Sequence, residues 1–158
     1  MTSAAPILSL EDAARWREGL RARGVAVALA NGAFDLLHVG HVRHLRAARE
    51  TAGALVVAVN ADASVRLAKG PSRPVVPEAE RAELVAALAC VDAVVLFAER
   101  DATDVIRALR PDVHCKGTDY TVETVPERAL VESFGGRVAI VGDPKSHSTT
   151  ALAARLGK

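Results

Sequence analysis

The chain has 158 residues, half of them apolar but only 3% aromatic, with a formal net charge of +1. That length suits one domain, 1–158, whose core is built from Val, Leu, Ala and Ile. The near-zero charge excludes a broad electrostatic footprint for nucleic acid, no run reaches the roughly 18–20 apolar residues of a membrane span, and MTSAAPILSLED lacks the basic start of a secretory signal.

In chain order, residues 1–8 read as a flexible tail. Ser9-Leu10-Glu11-Asp12 offers a helix start, and Ala13, Trp16 and Leu20 recur at helical spacing until Arg21, Arg23 and Gly24 mark an end. Residues 25–30 form an apolar run of strand length. Val39, Val42, Leu45 and Ala48 then recur on one helical face. Residues 55–59 read as a strand. RLAKGPSRPVVP, 66–77, is basic and rich in Gly and Pro, which favours a loop. A helix over 78–88, a strand over 93–97, a helix over 104–109 and a short strand over 113–115 follow. The chain closes with a helix over 127–134, a strand over 137–141 and a helix over 149–156. About five strands alternating with helices predict an α/β fold: a Rossmann-like parallel sheet with helices on both faces and right-handed crossovers. Cys90 and Cys115 lie in apolar stretches and suggest a reducing cytosol rather than a disulfide framework.

In such a sheet, ligands sit beyond the carboxyl ends of the strands, near the switch in strand order. The unusual polar clusters all follow strands. NGAFDLLHVGH (31–41) follows the first, Asn60 to Asp62 the second, KGTDY (116–120) the fourth and DPKSHSTT (143–150) the fifth. Gly32 allows close backbone approach after the strand. His38 and His41 stand about one turn apart at a helix start, where imidazole and backbone N–H groups can meet phosphate oxygens. Gly40 leaves room between them. The plainer reading is that one ring caps or packs while the other is solvated; zinc ligation lacks any supporting Cys or His-Glu pattern. His44 reads as solvated or packing. Lys69 and Arg73 sit in the basic loop, which is either an ordinary surface loop or a clamp on phosphate. Lys116 and Gly117 either form a surface turn or set a cation beside a nucleotide, and Asp119 either orients a sugar hydroxyl or braces that turn. Ser148, Thr149 and Thr150 cap a helix, with or without a role at phosphate. Cys115 reads as core.

These residues resemble the cytidylyltransferase-like nucleotidyltransferases. His38-Val39-Gly40-His41 matches their HxGH signature. NGAFDLLHVGHVRHL, VAVNADASVRLAKGPSRPVVPEAERAELVAAL, KGTDY and STT are similar to the heptose 1-phosphate adenylyltransferase branch, in order and over nearly the whole chain from Leu20. Members of that branch usually carry cysteine at the position of Ala33 and a second glycine at that of Thr118. Glycerol-phosphate cytidylyltransferases carry arginine where Asp143 stands; Lys145 is a nearby candidate to replace that charge.

The resemblance implies transfer of AMP from ATP to a sugar 1-phosphate with release of pyrophosphate. It implies His38, His41 and Lys69 as catalytic. It implies a nucleotide site of Asn31, Gly32, Ala33, Phe34, His38, Gly40, His41, Lys116, Gly117, Asp119, Ser148, Thr149 and Thr150. Asp35, Asn60, Asp62, Lys69 and Arg73 are the candidates for the acceptor. Mg²⁺ would arrive with ATP, mainly on its phosphates. A homodimer, a cytoplasmic location and a separate sugar kinase upstream are further expectations. The nucleophile would be a phosphate oxygen, already anionic because its second pKa is about 6. No strong general base is then needed, and the task is positioning and charge stabilisation. Two rivals stand beside this reading: a sister enzyme moving CMP to a polyol phosphate, or AMP to flavin mononucleotide or a pantetheine phosphate, and a nucleotide sensor without turnover.

Overall fold

The computed structural model describes residues 3–144 and 146–157. The elements are β1 (Ile7–Leu8), α1 (Leu10–Ala22), β2 (Val27–Gly32), α2 (Val39–Glu50), β3 (Ala54–Asn60), α3 (Asp62–Lys69), α4 (Glu78–Ala86), β4 (Ala93–Phe97), α5 (Thr103–Leu109), β5 (Val113–Lys116), α6 (Arg128–Ser133), β6 (Arg137–Ile140) and α7 (Thr149–Arg155). One sheet runs in the order β1-β4-β3-β2-β5-β6, and every pairing is parallel. This is the Rossmann-like α/β fold.

Alternation along the strands divides the core into two layers. Val27, Leu29, Val56, Ala58, Ala93 and Val95 face Leu20 of α1, Ile106 and Leu109 of α5 and Val131 of α6. Ala28, Ala30, Leu55, Val57, Val94 and Cys115 face Leu45 and Ala48 of α2 and Val85 of α4. Small strand residues let the helices approach closely, so few aromatic side chains are needed. Ser9 starts α1 by accepting the Asp12 amide at 3.1 Å, and Gly24, at φ 71°, follows its end.

Two expectations are corrected. Residues 5–8 are not a tail: Ile7 and Leu8 pair with Val94 and Val95, and the Ala5 amide donates to the Ala86 carbonyl. The sheet therefore has six strands, the added one too short to show any periodicity. The loop expected over 66–77 is helical up to Lys69. The start of α3 has no side-chain cap of its own at Ala61; the Asp62 amide is held by the Glu78 carboxylate, sixteen residues away. A start signal supplied from so far along the chain cannot be read locally.

The strand order reverses between β2 and β5. From β2 the chain builds outward through β3 and β4, then crosses back to lay β5 on the other side of β2. The turns leaving β2 and β5 splay apart at that point and open a crevice.

Candidate active site

A cavity of about 510 Å³ fills that crevice. Its walls come from Asn31, Gly32, Ala33 and Phe34 at the end of β2, the start of α2, residues 115–120 at the end of β5 and in the turn beyond it, and residues 141–144 and 146–150 after β6. Every residue expected to bind nucleotide lines it, and so does Lys69, the last residue of α3.

His38 is the N-cap of α2, in extended backbone conformation. Its Nδ1 accepts the Gly40 amide at 3.1 Å, and Nδ1 of His41 accepts the His38 amide at 3.3 Å. The two imidazoles thus form a reciprocal capping box, a task that Ser and Glu perform elsewhere. Both capping and phosphate binding are open to the same rings. An Nδ1 that accepts a hydrogen bond carries no proton, so each neutral ring holds its proton on Nε2. The rings stack with centroids 3.9 Å apart and 26° between planes. Phe34, at φ 51°, turns its ring edge-on to His41 at 5.3 Å and braces the stack. Both Nε2–H groups stand at the start of a twelve-residue helix, where the positive end of the helix dipole favours an anion.

Gly40 is required by this arrangement. A Cβ there would lie 2.9 Å from both Nδ1 and Cε1 of His38. Gly40→Ala is expected to push the His38 ring off its cap and to lower kcat/KM by about 10²-fold, the scale of a 1 Å misplacement at a reacting centre. Steady-state kinetics on a variant with an unchanged melting temperature checks this.

The 115–120 turn brings a cation to the opposite wall. Lys116 Nζ lies 4.7 Å from the Tyr120 ring centroid and 4.0 Å from Glu127 Oε2. The Asp119 carboxylate folds back over Gly117, whose missing Cβ would sit 3.0 Å from Oδ1. Cys115 is buried, as expected of a core residue; burial pushes its thiol pKa up, and Thr51 Oγ1 lies 3.6 Å from its sulfur. Among the described residues Asn31 Oδ1 is a buried acceptor without a hydrogen-bond partner, a position that a ligand donor would satisfy.

The STT stretch divides its labour. Ser148 accepts the Ala151 amide at 3.0 Å and caps α7. Thr149 is buried, and its hydroxyl donates to the Asp35 carbonyl at 2.6 Å. Thr150 is exposed at the cavity.

Four of the five acceptor candidates do not reach the cavity; each is used inside the protein. The Asp35 side chain is fully buried and accepts from the Val75 amide at 2.9 Å, the Val76 amide at 2.9 Å and Arg73 Nε at 3.0 Å. Burial pushes the Asp35 pKa up, but the two amides and the guanidinium outweigh it and hold the carboxyl below its ordinary value. Asn60 donates to Ser64 Oγ at 2.9 Å. Asp62 is bound by Arg81 at 2.8 Å. Lys69 alone of the five lies at the site.

Sequence reasoning missed Arg81, Arg43 and His147. Arg81 is fully buried: Nε donates to the Val76 carbonyl at 2.8 Å, and Nη1 to the carbonyls of Ala33 and Asn60. It ties the turns after β2 and β3 to the segment before α4, and an arginine on a helix of mixed charge gave no sign of it. Arg43 lines the cavity and meets Asp143 at 3.1 Å. It stands three residues after Gly40, on the same helical face, which is a usable signal. Lys145, the nearby candidate to replace the arginine charge that Asp143 lacks, lies outside the described residues; among the described residues Arg43 pairs with Asp143. His147 lines the cavity with its ring centroid 6.1 Å from that of His38. His44 also lines it, its Nδ1 3.3 Å from the Val141 carbonyl.

This cavity is chemically one-sided. Imidazoles, ammonium groups and backbone amides face it, and of its carboxylates Asp143 is engaged by Arg43. Such a donor set suits a polyanion.

Comparison with known proteins agrees with that geometry. The chain is 51% identical over 146 residues to "Bifunctional protein HldE" of Acidiphilium cryptum (strain JF-5), a match covering 92% of this chain and 29% of that one. It is 47% identical over 156 residues to the protein of the same name from Syntrophotalea carbinolica, covering 94% and 32%. The chain thus spans about a third of the length of these curated relatives. Among solved structures, the lipopolysaccharide core biosynthesis protein from Thermoplasma volcanium GSS1 superposes with a TM-score of 0.66 at 26% identity, covering 77% of this chain and all of that one. The cytidylyltransferase-like family profile matches residues 29–152, which hold both histidines, the KGTDY turn and the STT stretch. By fold, site and sequence, the chain belongs to the cytidylyltransferase-like family.

Proposed function

We propose that the protein is a heptose 1-phosphate adenylyltransferase, moving AMP from ATP to D-glycero-D-manno-heptose 1-phosphate and releasing pyrophosphate to give ADP-heptose. The observation that carries this reading is the stacked His38–His41 pair, whose Nε2–H groups stand at a helix start in a cavity lined with cations. The substrate assignment rests on the resemblance to the heptose 1-phosphate adenylyltransferase branch, supported by relatives near 50% identity that bear the name HldE and by the lipopolysaccharide core protein of similar fold.

In this mechanism the acceptor phosphate oxygen attacks the α-phosphorus in line with departing pyrophosphate. His38 and His41 donate to α- and β-phosphate oxygens as charge builds, and Lys69 meets the reacting phosphates from α3. Asn31, Gly32, Ala33, Phe34 and Gly40 form one wall of the nucleotide site. Lys116, Gly117 and Asp119 form the other, with Ser148, Thr149 and Thr150 closing the phosphate end. The donors here suit phosphate oxygens rather than a hard cation, and among the described residues no three His, Cys, Asp or Glu cluster to hold a metal. Mg²⁺ would arrive on the phosphates of ATP and would neutralise charge there.

No helix among the described residues is long and apolar enough to cross a membrane. A cytosolic homodimer, supplied with sugar 1-phosphate by a sugar kinase, completes the proposal. The test is pyrophosphate release with Mg²⁺ and either ATP or CTP, against both anomers of the heptose 1-phosphate. Turnover with ATP and one anomer is the expected result. Turnover only with CTP, or only with another phosphorylated acceptor, would overturn the substrate assignment. ATP binding without turnover on any acceptor would overturn the enzyme.

A further inference from the structure

Beneath the Lys116 wall the core breaks its own rule. His114, in the middle of β5, is fully buried, and among the described residues neither ring nitrogen has a hydrogen-bond partner. Glu127, just ahead of α6, is 8% exposed, and its Oε2 has none either. A core position gains nothing from such groups, since each unpaired polar atom costs free energy that Leu or Val would not.

The three groups meet at one oxygen. His114 Nε2 lies 3.6 Å from Glu127 Oε2, beyond hydrogen-bond distance but within electrostatic contact, and Lys116 Nζ lies 4.0 Å from the same atom. Residues two apart on a strand share a face, so β5 presents His114 and Lys116 together to Glu127. The carboxylate is held ionised, its pKa lowered to about 2 by the His114 ring first, against the cost of burial, and then by Lys116. On its other side the ammonium rests against the Tyr120 ring.

Lysine carries four rotatable bonds and finds no fixed place unaided. We propose that Glu127 is a positioning residue: it fixes the Lys116 ammonium at the cavity wall for the bound nucleotide, and His114 braces Glu127 from within the core. The inference deepens the nucleotide reading above and rests on it. Glu127 touches no substrate; its effect passes through Lys116.

The test is a double-mutant cycle read by titration of a fluorescent ATP analogue and by steady-state kinetics. Lys116→Met is expected to weaken nucleotide affinity about tenfold, the scale of one charge-assisted contact. Glu127→Gln should weaken it by a similar factor and raise KM for ATP, with kcat falling far less. The double variant should be no worse than Lys116→Met alone, because the second change acts on a side chain already gone. Should Glu127→Gln fail to fold, His114→Gln carries the same test: a smaller loss of affinity that vanishes in the Lys116→Met background. Unchanged affinity in Glu127→Gln, or losses that multiply in the double variant, would overturn the proposal alone. A wild-type protein that binds no nucleotide would overturn it together with the nucleotide reading.

Discussion

His41→Ala is expected to lower kcat by about 10²–10³-fold, the scale of one lost transition-state donor, while KM for ATP changes far less. The proposed reaction moves charge onto phosphate oxygens and needs no covalent intermediate, so a donor aimed at those oxygens is worth most when the charge is greatest. The same substitution also removes the acceptor for the His38 amide, a capping loss of about 1 kcal/mol, too little to unfold the chain. Two near-isosteres separate the roles. His41→Asn places an acceptor near the position of Nδ1 and keeps the cap without the distal donor. His41→Gln reaches toward Nε2 with a donor but gives up the cap. If the chemistry rests on Nε2–H, Gln retains more kcat than Asn. The reverse order would show that the ring only builds the helix start, and an unchanged kcat in His41→Ala would remove it from the mechanism.

The capping box also explains why the opening of α2 was readable only in part. Two histidines behind a G-x-F-D turn mark a helix start in the sequence. The reciprocal use of their Nδ1 atoms depends on the extended backbone at His38, which only folding supplies. The parallel sheet was legible for a similar reason: each long strand is a continuous apolar run set off from its helix by Gly, Asn or Asp. The edge strand of Ile7 and Leu8 was not, since two residues carry no period and their partner is eighty-seven positions away in register. Among the residues that line the cavity, those local to a turn, such as Gly40 and Lys116, could be found by composition. Asp35 and Arg81 could not. Their partners lie about forty or more residues away for Asp35 and up to forty-eight for Arg81, and a carboxylate drawn in toward a loop looks, in sequence, like one offered to a substrate.

The buried place of Asp35 leads to the largest expected effect on stability. Its carboxylate holds the Val75 and Val76 amides and Arg73, so it fixes the far end of the loop that begins at Lys69. Its own carbonyl receives the Thr149 hydroxyl, so the STT stretch is registered on the same residue. Asp35→Ala leaves a largely buried guanidinium and two amides without their acceptor. Removing one partner of such a pair costs about 3–5 kcal/mol, which lowers the melting temperature by about 6–20 °C for a chain of this size. Because the folded carboxyl titrates below its ordinary value of 3.8, its stabilisation is fully present above that pH and is lost as pH falls through the folded value. Asp35→Asn preserves the shape and one acceptor, so it should lose less at neutral pH and show a flatter acid limb than wild type. Thermal melts between neutral pH and about pH 2.5 measure both terms. A melting temperature for Asp35→Ala within about 2 °C of wild type would mean that the loop and the histidine turn stand independently, and that Asp35 is available to a ligand after all.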